Sequence, residues 1–271
     1  MNNLKLAIRN IRKKNRGFSI INIASLALGI TCFLLLLAYV YHELSYDRFL
    51  ANSERVSLVT SSVKSPEDAD YTYWQVTPTA VAPVFAKEFP EIEKAVRMYT
   101  YNNAALIENG SESIKESGLK YVDEDFFKVL DYQVVSGNTN SALSNPNDIV
   151  LTEKLAKKYF ANGNPIGKTI MIDKKPWTVT AVIADLPTYT ENHFSALLSN
   201  KGLSRYQVEP QWGSANDITF VLLKEHVNQI VLQEKIDAFM KQQLKEQYDA
   251  GYQIKISLEN IQTVHLHSKA A

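Results

Sequence analysis

The stretch Phe18–Tyr41, FSIINIASLALGITCFLLLLAYVY, decides how the rest of the chain must be read. Its 24 residues carry no charge, and thirteen of them are Leu, Ile, Phe or Val. As a helix at ~1.5 Å per residue it is about 36 Å long, enough to cross a hydrocarbon core of ~30 Å with some tilt. The polar groups that oppose insertion, Ser19, Asn22, Ser25 and Thr31, are uncharged. A cleaved secretory signal also begins with positive charge, but its apolar run spans only ~7–15 residues and ends on small side chains. Here the run closes on Ala38-Tyr39-Val40-Tyr41-His42-Glu43, aromatic and bulky, so residues 18–42 are expected to remain as a membrane span.

Working outward, the 271 residues hold 29 basic and 29 acidic side chains, and that balance hides a division. Lys5, Arg9, Arg12, Lys13, Lys14 and Arg16 lie within the first sixteen residues, which contain no acid. The remainder therefore has 23 basic against 29 acidic side chains. Cations at one flank of a span hold that flank in the cytoplasm, so everything after His42 is expected outside. Leu4, Ala7, Ile8 and Ile11 share one helical face with Lys5, Arg9 and Arg12 around it, which would let residues 1–17 lie on the inner leaflet in contact with lipid. A plain basic flank is the simpler reading of the same residues. A basic end on an acidic body argues against a nucleic-acid partner, whose cations would be spread over the folded domain. Ser25 and Gly29 form a small-xxx-small pair that permits close packing of a second helix.

Beyond residue 43 no second apolar run approaches ~18 residues, so residues 43–271 read as a water-soluble α+β domain. Strands are expected at Arg55–Val63, Ala95–Thr100, Ala104–Glu108, Ile114–Val122, Ile149–Leu151, Ile218–Leu223 and Tyr252–Leu258. Thr169–Asp173 and Trp177–Ala184 form a hairpin about Lys174-Lys175, and Asn109-Gly110 marks another turn. Thr77-Pro78 suits an N-cap and first helical position for a helix to Phe89, and Asp123–Leu130 an acidic-led short helix. Thr152 would cap a helix Glu153–Phe160 that Asn162-Gly163-Asn164-Pro165 stops. A helix Val227–Gln247 would turn Ile230, Ile236, Phe239, Met240 and Leu244 inward. A second subdomain, inserted at about residues 104–195, is expected.

The stretch Ile149–Pro187, IVLTEKLAKKYFANGNPIGKTIMIDKKPWTVTAVIADLP, resembles the extracytoplasmic core domain of MacB/FtsX-type ABC-transporter permeases. The positions that carry the likeness are Thr152-Glu153, Phe160, Pro165-Ile166-Gly167-Lys168 and Asp185-Leu186-Pro187. The opening matches too, from Asn10-Ile11-Arg12 through the span to Glu43-Leu44-Ser45-Tyr46-Asp47-Arg48-Phe49 just outside it. Ile261–Leu266 is taken as the strand that returns toward the membrane in that family. The likeness covers essentially the whole chain, and its motif residues look structural. It implies one N-terminal transmembrane helix and an extracytoplasmic mixed α/β core domain of two subdomains, in the inner (cytoplasmic) membrane with the main domain in the periplasm. Such a protein couples ATP hydrolysis by a separate ABC ATP-binding subunit to movement of its periplasmic domain. A second permease half or a second copy of the chain, and periplasmic cargo or a partner protein, are also implied. Permeases of this type carry three further spans after the outer domain, so the chain is expected to be part of a longer product. A single-pass anchored binding or adaptor protein is the alternative from another class.

No GxSxG, HExxH or P-loop pattern is present; Gly163 followed by Gly167-Lys168-Thr169 falls one residue short of the last. No enzymatic activity and no cofactor or metal are expected. His265-x-His267 on a strand would put both rings on one face, yet no nearby acid or cysteine completes a metal set. The single cysteine, Cys32, excludes an intrachain disulfide. Asp123-Glu124-Asp125 suggests calcium, but acids offsetting a helix dipole explain it more simply.

Overall fold

The computed structural model describes residues 16–101, 104–109, 112–161, 163–213 and 215–270. The chain divides into two units, Met1–Ser45 and Tyr46–Ala271. The first contains helix α1, Arg16–Glu43. Among the described residues it is the one helix long and apolar enough to cross a membrane. Leu26, Leu35 and Leu36 are exposed, and nothing approaches within 4 Å of the site a Cβ would take on Gly29. Thr31 donates its hydroxyl proton to the Ala27 carbonyl at 2.8 Å, which satisfies one polar group that opposes insertion. The expected amphipathic segment with Lys5, Arg9, Arg12, Lys13 and Lys14, and the side chain of Arg16, lie outside the described residues.

The second unit is a mixed sheet with helices. Its elements are β1 (Val56–Lys64), β2 (Thr72–Trp74), β3 (Thr77–Pro78), α2 (Val81–Glu88), β4 (Ile92–Thr100), β5 (Ala105–Asn109), β6 (Glu112–Glu116) and β7 (Leu119–Val122). Next come α3 (Phe126–Val129), β8 (Val134–Gly137), β9 (Asp148–Thr152), α4 (Glu153–Phe160), β10 (Thr169–Ile172), β11 (Lys175–Ile183) and β12 (Ala196–Ser199). The chain then adds β13 (Ala215–Leu223), α5 (Gln229–Gln243), α6 (Lys245–Asp249), β14 (Gln253–Asn260) and α7 (Ile261–His267). The strand order is β14-β1-β13-β4-β7-β12-β9-β11-β10-β5-β6, with β2 on β1, β3 on β13 and β8 on β11. The β7–β12 and β9–β11 pairs are parallel.

Alternation along the strands divides the core between the two faces of the sheet. Val59, Val221, Leu223 and Ile256 meet Phe85 of α2 and Leu232, Ile236 and Met240 of α5. Leu58, Phe220 and Leu222 point the other way, into a cluster with Leu50, Phe126 and the α7 residues Ile261 and Val264. A third cluster fills the far end of the sheet, with Ile107, Ile149, Leu151, Leu155, Ile172 and Leu198.

Several expectations need correction. Thr77-Pro78 do not open a helix; they pair with β13, and Thr77 Oγ1 lies 2.6 Å from Thr219 Oγ1 in the interior. Helix α2 starts only at Val81, with no side-chain cap. The strand expected at Ile114–Val122 is two strands, because Gly118 at φ +78° breaks the extended run and sends β7 to a different neighbour. The hairpin turns at Asp173-Lys174, both at positive φ, one residue earlier than expected. Ile230 is exposed: Asn228 caps α5 at the amides of Ile230 and Val231, and Leu232 takes the inward place. Ile261–Leu266 is helical, since the Asn260 side chain caps the amide of Gln262 at 3.0 Å. The Asn109-Gly110 turn and Asn162 lie partly or wholly outside the described residues.

Candidate functional site: where the head begins

Residues 46–54 form the start of the compact unit, and three separate parts of the fold tie them down. Asp47 sits at φ +54°, a left-handed conformation that Asp tolerates better than most side chains. Its N–H donates to the Tyr189 carbonyl at 3.1 Å. Its carboxylate accepts from the Thr190 hydroxyl and from the Glu191 amide at 3.4 Å. Burial raises the Asp47 pKa, while the bonds from Thr190 and Glu191 pull it back and the Glu191 charge adds to the rise.

On either side of Asp47 the aromatic residues anchor the same segment. Tyr46 stacks on His265 of α7 with ring centroids 3.5 Å apart, and His265 is hydrogen-bonded to Glu191 through Nδ1. Phe49 packs against Tyr132 and Tyr189, and Leu50 is buried in the core. A few residues later Asn260 Nδ2 donates to the carbonyls of Ser53 at 3.2 Å and Glu54 at 2.8 Å. Gln262 Nε2 donates to Ser53 Oγ at 2.9 Å. The first residues of the head are thereby bound to residues 189–191 and to the β14–α7 corner.

The Ile149–Pro187 block leads into that same region. Thr152 caps α4, its hydroxyl accepting from Leu155 N at 3.4 Å, and Asp185 accepts from Lys154 N at 2.8 Å. Two motif residues, one ending strand β9 and one in the loop after β11, thus close one helix end, where the exposed Glu153 offsets the dipole. At the other end Phe160 and Lys168 meet with the ammonium 5.7 Å from the ring centroid. Pro165 accepts from Lys168 N at 3.0 Å, and Gly167, at φ +79°, donates to the Val179 carbonyl at 2.8 Å. Ile166 packs against the third cluster. Leu186, between Asp185 and Pro187, packs against the cluster that holds Leu50. Ser25 and Gly29 belong to α1 and stand apart from this constellation.

The acids 123–125 line a cleft of about 420 Å³ together with Arg97, Asn200 and Lys201, and each is matched to a cation. Arg97 grips Asp123 with Nε at 2.9 Å and an η nitrogen at 2.8 Å. Lys201 reaches Glu124 at 2.7 Å, and Lys94 and Lys128 both reach Asp125 at 2.6 Å. Asp125 stands at the N-cap of α3 without a side-chain cap bond, so ion pairing with Lys94 and Lys128 adds to the charge–dipole attraction there. His265 and His267 lie on a helix, where residues two apart face different ways, so they do not converge as a strand pair would. Among the described residues no group of three His, Cys, Asp or Glu side chains is arranged to hold a metal. Sequence reasoning missed Thr190, Glu191 and Asn260; the only signal was their capping chemistry, which shows no partner until the chain is folded.

The sequence profile of the MacB-like periplasmic core domain matches residues 19–239. The chain belongs to that family. A domain of a putative permease protein from Porphyromonas gingivalis superposes with a TM-score of 0.65 at 20% identity, covering 78% of this chain and 91% of that one. The periplasmic region of MacB from Actinobacillus actinomycetemcomitans gives 0.51 at 18% identity, covering 77% and 94%. In sequence, 87 residues are 30% identical to the macrolide export ATP-binding/permease protein MacB of Aggregatibacter actinomycetemcomitans, 31% of this chain and 14% of that protein. The MacB of Mannheimia succiniciproducens matches to the same extent. The matched stretch is thus about one seventh of the length of these curated relatives. As a MacB-like periplasmic core domain the unit Tyr46–Ala271 is a permease domain rather than a member of an enzyme class, and it follows a helix able to cross a membrane.

Proposed function

We propose that the chain is the N-terminal part of an ABC-transporter permease subunit of the inner membrane, with its N-terminus in the cytoplasm and its head in the periplasm. A partner ATP-binding subunit hydrolyses ATP, and α1 carries the resulting motion to the head, which acts on periplasmic cargo or a partner protein. The observation that carries this reading is the join: α1 ends at Glu43, the compact unit begins at Tyr46, and Asp47 is already bonded to Tyr189, Thr190 and Glu191. A long glycine-serine spacer at that point would dissipate displacement, and there is none. The basic residues from Lys5 to Arg16 support the orientation. Ser25 and Gly29 are the places where α1 meets another span or a second copy. Residues 104–195 form a subdomain within the head; the position of β9, β11, β10, β5 and β6 side by side at one end of the sheet, with Ile107, Ile149, Leu151 and Ile172 in one apolar cluster, supports that division.

Affinity purification of the full chain from membranes, after chemical cross-linking, tests the reading. Recovery of an ATP-binding subunit at near-stoichiometric yield is expected. Recovery of the cross-linked chain without any ATPase would overturn it.

A further inference from the structure

One face of the β2–β1–β14 corner is covered by α5 and α6, and the opposite face is open. On β1 the open face carries Thr60 and Ser62, since Leu58, two residues earlier, is covered by α7 and Val59 faces α5. Ser62 is paired with Tyr73 of β2 on one side and Lys255 of β14 on the other, so these three side chains project together. Thr60 is likewise paired with Ser257. The result is a cleft of about 380 Å³ whose far rim is the end of α7, with His267 and Lys269.

The chemistry of this cleft is unusual for a surface that only needs to be soluble. Lys255 Nζ lies 4.9 Å from the centroid of Tyr71, and Lys269 Nζ 5.7 Å from that of Tyr73, with the two rings 6.2 Å apart. Neither lysine has a carboxylate partner among the described residues, although the head as a whole is rich in acids. Each ammonium is held by a ring face and keeps its charge available. Ser62 and Ser257 line the cleft with hydroxyls that bond to no other described side chain, and Ser62, like Thr60, is buried at its floor. Glu259, by contrast, is engaged by Thr60 at 2.9 Å. It lies four residues along β14 from Lys255, about 13 Å at ~3.3 Å per residue.

We infer that this cleft binds the phosphate ester of a polyol. The phosphate takes the end of the cleft that Lys255 and Lys269 line, where charge-assisted bonds to ammonium groups are strongest. The polyol lies toward Ser257 and Glu259, whose carboxylate accepts hydroxyl protons and repels a second anion. A bare phosphate leaves that acceptor end unused, and a choline ester offers it no hydroxyl. Two sources supply the chemistry: a glycerol-type phospholipid headgroup and a water-soluble sugar or glycerol phosphate.

Two arms distinguish them. The full chain in phosphatidylcholine nanodiscs is titrated calorimetrically with sn-glycerol 3-phosphate, phosphocholine and inorganic phosphate. In parallel, the detergent-solubilised full chain is offered equal phosphatidylglycerol and phosphatidylcholine, and retained lipid is read by native mass spectrometry. Binding of glycerol 3-phosphate at least tenfold tighter than inorganic phosphate or phosphocholine supports a soluble ester. Selective retention of phosphatidylglycerol supports the headgroup. In either arm K255A/K269A reduces binding at least tenfold and K255R/K269R retains it, with thermal unfolding unchanged. E259Q weakens the polyol ester several-fold and leaves inorganic phosphate unaffected. No selective binding in either arm, or equal binding by the wild type and K255A/K269A, overturns the assignment.

Discussion

Asp47 and Asp217 are both buried carboxylates, yet the fold uses them differently. Asp47 closes a turn: three hydrogen bonds converge on a residue at positive φ, two of them to its carboxylate. Asp47→Ala loses the side-chain bonds and replaces a residue that tolerates the left-handed region with one that does so less readily, a cost of about 2–4 kcal/mol. Asp47→Asn tolerates the same φ and still accepts from Thr190, so chemical denaturation should show it losing less than half as much. Asp217 is fully buried, accepts from the Tyr206 hydroxyl at 2.6 Å and faces Arg205 at 3.2 Å, while its second oxygen has no partner. Burial raises its pKa, and the Tyr206 bond and the charges of Arg205 and Arg97 only partly oppose this. The folded state therefore binds the proton more tightly than the unfolded chain, whose carboxyl titrates near 3.8. That stability is fully present below 3.8 and is lost as pH rises through the folded value. Relative to Asp217→Asn, which does not titrate, the wild type should gain in melting temperature as pH is lowered through that window. A difference that stays flat with pH would refute the assignment.

At the scale of elements, glycines with similar dihedrals make different demands. Gly137 ends β8 at φ +87°, and a Cβ there would meet the Thr180 carbonyl oxygen at 2.4 Å and Ala181 Cα at 2.7 Å. Gly167, at φ +79°, has open space around it. Gly167→Ala should cost only the conformational penalty of ~1–2 kcal/mol. Gly137→Ala adds a backbone clash that only separation of β8 from β11 relieves, for a total of ~3 kcal/mol or more. Equal losses of melting temperature in the two variants would contradict this. The contrast also marks what could be read beforehand. Gly167 follows Pro165 in a motif and was legible as a turn glycine, as was Thr152 as a cap, because both signals are local. Gly137 has no such signature, since its demand comes from a strand more than forty residues later. Thr77-Pro78 misled for the same reason: a local capping pattern lost to pairing with β13. The apolar span, β9, α4 and β13 were legible from periodicity and capping. The strand Ala196–Ser199 was not, because a four-residue run lying between β7 and β9 acquires its identity only from those neighbours.

At the scale of the whole molecule, the path of a displacement entering at Tyr46 follows from the bonds described. On the proposed coupling it would spread through Asp47 and Tyr46 to residues 189–191 and α7, and through Leu50 into the cluster beneath the sheet. Residues 44 and 45 are the only chain between α1 and that network, so they are where coupling can be cut without touching the fold. Six glycine and serine residues inserted between Leu44 and Ser45 would have a root-mean-square span of about 12–15 Å as a flexible chain, ample to absorb movements of a few ångströms. The head should keep its melting temperature, because the bonds of Asp47 to residues 189–191 and the burial of Leu50 lie on the head side of the insertion. Binding of the proposed ATPase subunit should also persist, because the sequence of α1 from Arg16 to Glu43 is unchanged. Spin labels on two exposed head positions, one in each copy of an assembled complex, then report the outcome. ATP should shift their separation in the wild type and leave it unshifted in the insertion variant. An ATP-dependent shift of equal size in both would mean that movement reaches the head by a route other than α1.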